Sequence, residues 1–169
     1  SEGNLSLSSE GSLSLNSDSV TVSKDLIVNG EIKSSMNKAQ FIKLTNADAG
    51  DQKNWSIAEF QAFDISGDNI AQGKTVSFIE GNNKNIHYIT NGNIGNVYEG
   101  KSNKSAHGVK IDLGAEYYLY QIIIHCKKND ANRTDGTVIT LLDANEKTSR
   151  IIHTGRWENG AGSKEYLLN

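Results

Sequence analysis

Apolar residues in this chain recur at every second position, in short bursts cut by glycine, asparagine and aspartate, and no segment carries an apolar stripe at helical spacing over three turns. A period of two puts successive side chains on opposite faces of an extended strand, so this alternation specifies half-buried β-structure. With no proline and 16 glycines, Gly and Asn/Asp clusters must make the turns. The fold class expected is all-β.

Two regions use the pattern differently. Residues 1–35 are serine-rich and low in complexity, with the pairs Leu5/Leu7, Leu13/Leu15 and Val20/Val22, then Ile27–Val28 and Ile32. Strands so short and so poor in aliphatics make no core of their own, so their apolar faces have to be buried against other copies of the chain. The segment resembles the intertwined, three-stranded β-stalks of viral and phage fibres, and a homotrimer is expected from it. A disordered serine-rich linker is the alternative for the same residues. Residues 36–38 read as a hinge into a second domain, 36–169. There, strands are expected at Gln40–Asn46, Ser56–Asp64, Thr75–Phe78, His87–Ile89, Gly108–Leu113, Leu119–Cys126, Thr137–Asp143, Ser149–His153 and Glu165–Leu168. Short strands at this spacing, with Gly/Asn/Asp turns between them, indicate a sandwich or jelly roll.

Charge and composition narrow the function. The net charge of −3 is carried by residues 1–35, with five acids against Lys24 and Lys33, while residues 36–169 hold 15 acids and 15 bases. No basic block offers a footprint for phosphate backbones, so nucleic acid is not an expected partner. No apolar run nears the roughly 20 residues needed to cross a bilayer as a helix, and no membrane insertion is expected. The chain opens on Ser1 without a charged-then-apolar leader and is expected to be a piece of a longer protein. Cys126 is the only cysteine, which excludes an internal disulfide and a thiolate zinc cage. No nucleophile elbow, zinc-protease helix or phosphate loop is present, and no enzyme is expected.

Four phrases in the second region resemble one family in order and spacing. They are residues 39–74 (AQFIKLTNADAGDQKNWSIAEFQAFDISGDNIAQGK), Ile89–Asn93 (ITNGN), residues 108–126 (GVKIDLGAEYYLYQIIIHC) and residues 135–145 (DGTVITLLDAN). Together they resemble discoidin-like domains of the coagulation-factor type C kind. The resemblance implies an eight-stranded galactose-binding jelly roll that binds sugars, lipid head groups or proteins through loops at one end, without catalysis. In fucose-binding members a calcium ion is held by a DGN loop and a strand glutamate. The matching positions here are Asn91 and Asn93, then Glu59 with the Ala58 carbonyl, and Tyr88 ahead of the loop. Asn91 stands where the family has aspartate, which removes a charge that calcium uses. The family's sugar site has a histidine where Ser102 falls, a first arginine where Lys127 stands and a second that Arg133 could supply. Its paired cysteines are missing, so the fucose motif does not carry over.

The same loops still offer a polar site. Tyr98 is expected to stack on a sugar face, with His107, Asn129, Asp130 and Arg133 bonding hydroxyls. Trp55, His125 and Cys126 read as packing residues, and Trp157 as either packing or platform. The function expected is a trimeric fibre tip, on a virion surface or otherwise extracellular, that attaches to a cell-surface glycan or glycoprotein. Its rivals are a monomeric carbohydrate-binding module of a polysaccharide-degrading enzyme and a structural capsid or fibre part.

Overall fold

A strand of 19 residues organises the domain. In the computed structural model this is β6, His107–His125. The described residues are 37–46, 55–80, 84–100, 107–127, 131–157 and 162–168. The chain separates into two units, Ser1–Lys33 and Ser34–Asn169, and all described residues lie in the second; the expected stalk, residues 1–35, lies outside them.

Around β6 stand β1 (Asn37–Asn46), β2 (Trp55–Ile57), β3 (Glu59–Asp64), β4 (Thr75–Glu80), β5 (Tyr98–Gly100), β7 (Thr137–Leu142), β8 (Thr148–His153) and β9 (Ser163–Leu167), with 3-10 turns at Ile86–Thr90 and Ala131–Thr134. All named pairings are antiparallel. The first half of β6 lies between β1 and β4, through Val109↔Leu44 and Val109↔Phe78. Its second half lies between β3 and β9, through Ile124↔Phe60 and Ile124↔Lys164. β7 and β8 extend the first face beyond β1. The result is an all-β, multi-strand antiparallel architecture consistent with a β-sandwich.

β6 reaches both faces because its alternation changes phase. Val109, Ile111, Leu113 and Leu119 are buried on odd positions, whereas Ile122 and Ile124 are buried on even ones. A one-residue shift flips every side chain to the other face, so the strand must bulge between the two stretches. That shift falls opposite β3, where Phe63 pairs with Gln121 but Asp64 pairs with Leu119. A second bulge, against β1, lies opposite Ala39 and Phe41, and Gly114 sits within it at φ +84°. The Gly114 N–H donates to Asp112 Oδ1 at 2.8 Å, closing the bulge.

Both faces feed one core. Ile42, Leu44, Val109, Ile111, Ile139 and Leu141 of the first meet Phe60, Ala62, Ile122 and Ile124 of the second, with Trp55, Ile57, Ile89 and Tyr98 filling one end. Trp55 is fully buried, and its Nε1–H donates to Thr137 Oγ1 at 3.0 Å, so it is a packing residue. Trp157 is also buried, beneath the Lys164 ammonium at 5.2 Å from the ring centroid. Cys126 is buried and its thiol pKa is pushed up by burial.

Three strand expectations change. His87–Ile89 is a 3-10 turn, with Tyr88 N–H on the Asn85 carbonyl at 3.0 Å. The Asn-rich flanks favour turning, and Ile89 reaches the core from that turn as a plug rather than as part of a ladder. Ser56–Asp64 is two strands parted at Ala58, and Gly108–Leu113 and Leu119–Cys126 are parts of one. β5 was not expected, because three residues carry too little alternation to read as a strand.

Candidate functional site

Two groups of the sequence-selected residues converge, each fixed by the break between β2 and β3. At the break, Ala58 N–H donates to the His125 carbonyl at 2.8 Å. This carries Glu59 into the interior, where it is fully buried. Its carboxylate accepts from Gly92 N–H, at 3.2 Å to Oε1 and 3.1 Å to Oε2. Burial raises the Glu59 pKa to about 7, against the pull of backbone hydrogen bonds from Gly92 and Asn93. Gly92 has φ +77°, a left-handed backbone that favours glycine at this point of the loop, and a Cβ there would also push aside the Gln72 amide.

The expected partnership of Glu59 with Asn91 and Asn93 is therefore present, in a form that suits an anchor better than an ion cage. Asn91 Oδ1 accepts from Asn93 N–H at 2.9 Å, and Asn93 Oδ1 accepts from Gly95 N–H at 2.9 Å. Calcium needs about six to eight oxygens turned toward it. The three side chains instead turn oxygens toward backbone N–H groups, and no group of three or more His, Cys, Asp or Glu converges among the described residues. Tyr88 is half-buried, with its ring 4.6 Å from that of His87, and Ala58 serves the strand break.

The second group lies at the β2–β5 ladder, where Ser56 pairs with Glu99. Lys127 follows buried Cys126 just beyond the end of β6, and its Nζ is 3.5 Å from Glu99 Oε1. Arg133 lies in the second 3-10 turn, with NH1 also 3.5 Å from Glu99 Oε1. That turn is pinned by buried Thr134, whose Oγ1–H donates to the Ser56 carbonyl at 2.7 Å. Two cations thus meet one carboxylate at a solvent-reached surface, with side-chain exposures of 46 % for Lys127, 32 % for Arg133 and 35 % for Glu99. Such long, partly exposed pairs contribute little to stability. Guanidinium and ammonium groups donate, and the carboxylate accepts, which is the complement of a polyhydroxyl surface.

Tyr98 is a correction. It was expected on a loop as a stacking platform, yet it is 1 % exposed on β5 and packs edge-on against Trp55 at 5.9 Å between centroids. Its burial follows from β5 alternation, which buries Tyr98 and Gly100 and turns Glu99 outward. Glu99 is the residue that sequence reasoning missed, and the pattern Tyr-Glu-Gly was its only signal. His107 opens β6 opposite Asn46, but its side chain lies outside the described residues, as do Ser102, Asn129 and Asp130. His125 is half-buried with Nε2 3.2 Å from Gln61 Oε1, a paired sheet histidine.

No protein family, curated protein or solved structure matches the chain. Among the described residues no helix is long and apolar enough to cross a membrane.

Proposed function

We propose that the chain is a non-catalytic attachment module that binds a cell-surface glycan or glycoprotein through the Lys127–Glu99–Arg133 surface. The observation that carries this reading is the convergence of two cationic donors on one carboxylate acceptor. Glu99 is carried by β5, Arg133 by the second 3-10 turn, and Lys127 stands two residues past the end of β6. Ligand sites concentrate where loops spring from such a scaffold. The discoidin-like jelly roll belongs to the same proposal. With β6 contributing one position to each face, the registers give eight strand positions, five on one face and three on the other. The alternation in residues 1–35 supports a homotrimeric fibre tip on a virion or other extracellular surface. Calcium is left out of the reading, and Glu59 acts as the loop anchor.

The direct test is binding of the 169-residue chain to immobilised cell-surface glycans. Lys127→Ala and Arg133→Ala should each weaken retention by about tenfold, the scale of one lost charged hydrogen bond. Lys147→Ala, remote from the cluster, should not. Equal retention by all forms would overturn the site.

A further inference from the structure

Glu99 is placed so that it decides which glycans the surface accepts, and this step rests on the glycan reading above. Lys127 and Arg133 alone would form an anion site, the usual arrangement for holding a carboxylate or sulfate. They are not alone, because the Glu99 carboxylate stands 3.5 Å from both Lys127 Nζ and Arg133 NH1. An acidic ligand approaching these cations meets a carboxylate already in the position it would take. Like charges at this range repel, and one of the two would have to give up its partners. A neutral sugar meets no such conflict. Its hydroxyl oxygens accept from Lys127 and Arg133 while its O–H groups donate to Glu99, and a hydroxyl can do both at once.

Backbone geometry keeps the carboxylate in place. Glu99 is the middle residue of the β2–β5 ladder, flanked by buried Tyr98 and Gly100, so its side chain can leave only on the outer side. The facing Ser56 carbonyl is bonded to Thr134, in the turn that carries Arg133. The acid and one of its cations therefore share a fixed support.

We infer that Glu99 is a specificity-determining residue that makes this a site for uncharged, polyhydroxyl glycans and excludes acidic ones. The test uses the whole chain on matched oligosaccharides that differ only in a terminal sialic acid. The unsialylated member should be retained at least about tenfold more tightly, a preference that fades in high salt as the repulsion is screened. Glu99→Gln removes the charge at an exposed position and should shrink or invert that ratio, whereas Glu146→Gln, on the remote Lys110 pair, should leave it unchanged. A ratio untouched by Glu99→Gln, while Lys127→Ala and Arg133→Ala still weaken binding, overturns the specificity role and leaves the glycan site standing. Undiminished retention of both oligosaccharides by Lys127→Ala and Arg133→Ala, or retention of neither by the unaltered chain, overturns the site itself and Glu99's role with it.

Discussion

Glu59 has the most consequential environment of any single side chain in the described domain. Its pKa rises from 4.5 to about 7 on folding, chiefly by burial. Between these values the native chain holds a proton that the unfolded chain has released, so stability falls as pH rises through this window. A buried, isosteric amide does not titrate. Thermal melts from pH 4.5 to 8 should therefore show Glu59→Gln gaining on the unaltered chain as pH increases, by up to a few kcal/mol. An unchanged difference across that range would remove Glu59 as the source. Glu116, held low by Lys38, acts in the opposite direction and is common to both proteins. Two further residues show how burial overrides a role suggested by side-chain type. Tyr98→Ala should cost about 3–5 kcal/mol in denaturant unfolding, the loss of a core aromatic rather than of a ligand platform. Thr137→Val should cost about 1–3 kcal/mol, because it strands the Trp55 Nε1–H that now donates to Thr137 Oγ1.

The elements owe their arrangement to β6 more than to their own propensity. A continuous strand serves two faces only if its core-facing phase changes part-way, which β6 does opposite Phe63 and Asp64, while the bulge around Gly114 is a second break in its pairing with β1. Gly114→Ala tests that second break with little steric ambiguity, since the nearest atom to the added Cβ is Lys74 Nζ at 3.7 Å. The remaining cost is the left-handed backbone at φ +84°, and a loss of about 1 kcal/mol with the fold retained is expected in urea titration. Much larger destabilisation would mean that the bulge also sets the strand register. The β2–β3 break works in a comparable way. It turns one expected strand into two and delivers Glu59 inward beneath the Asn91–Asn93 loop.

At the scale of the whole molecule, the proposed site of three residues would by itself give weak adhesion, and repetition on one stalk would raise it by roughly 10²–10⁴ on a dense target. The solution mass of residues 1–169 beside residues 36–169 tests this directly. A trimer that becomes a monomer on truncation is the expected outcome, and the shorter chain should bind the same glycans with the avidity lost. A monomer in both forms would remove the fibre tip and leave a monomeric carbohydrate-binding module as the reading.

The alternation of Leu44, Val109, Ile111, Ile122, Ile124 and Ile139, with its Gly/Asn/Asp punctuation, was enough to determine an all-β chain and most strand positions, because burial on one side of a pleat is written locally at period two. The resemblance to discoidin-like domains also pointed to Glu59 beside the Asn91–Asn93 loop and to Lys127 and Arg133, and the fold brings Glu59 onto Gly92 and both cations onto Glu99. Only tertiary structure decided that Tyr98 belongs to the core, that residues 87–89 turn instead of extending, and that Glu99 joins the two cations. Each of these depends on contacts between segments distant in sequence: Tyr98 on Trp55, Ile89 on the common core, Glu99 on Lys127 and Arg133. Local periodicity holds no record of which distant residue will arrive opposite, and it is that neighbour which decides whether a side chain packs or remains open to a ligand.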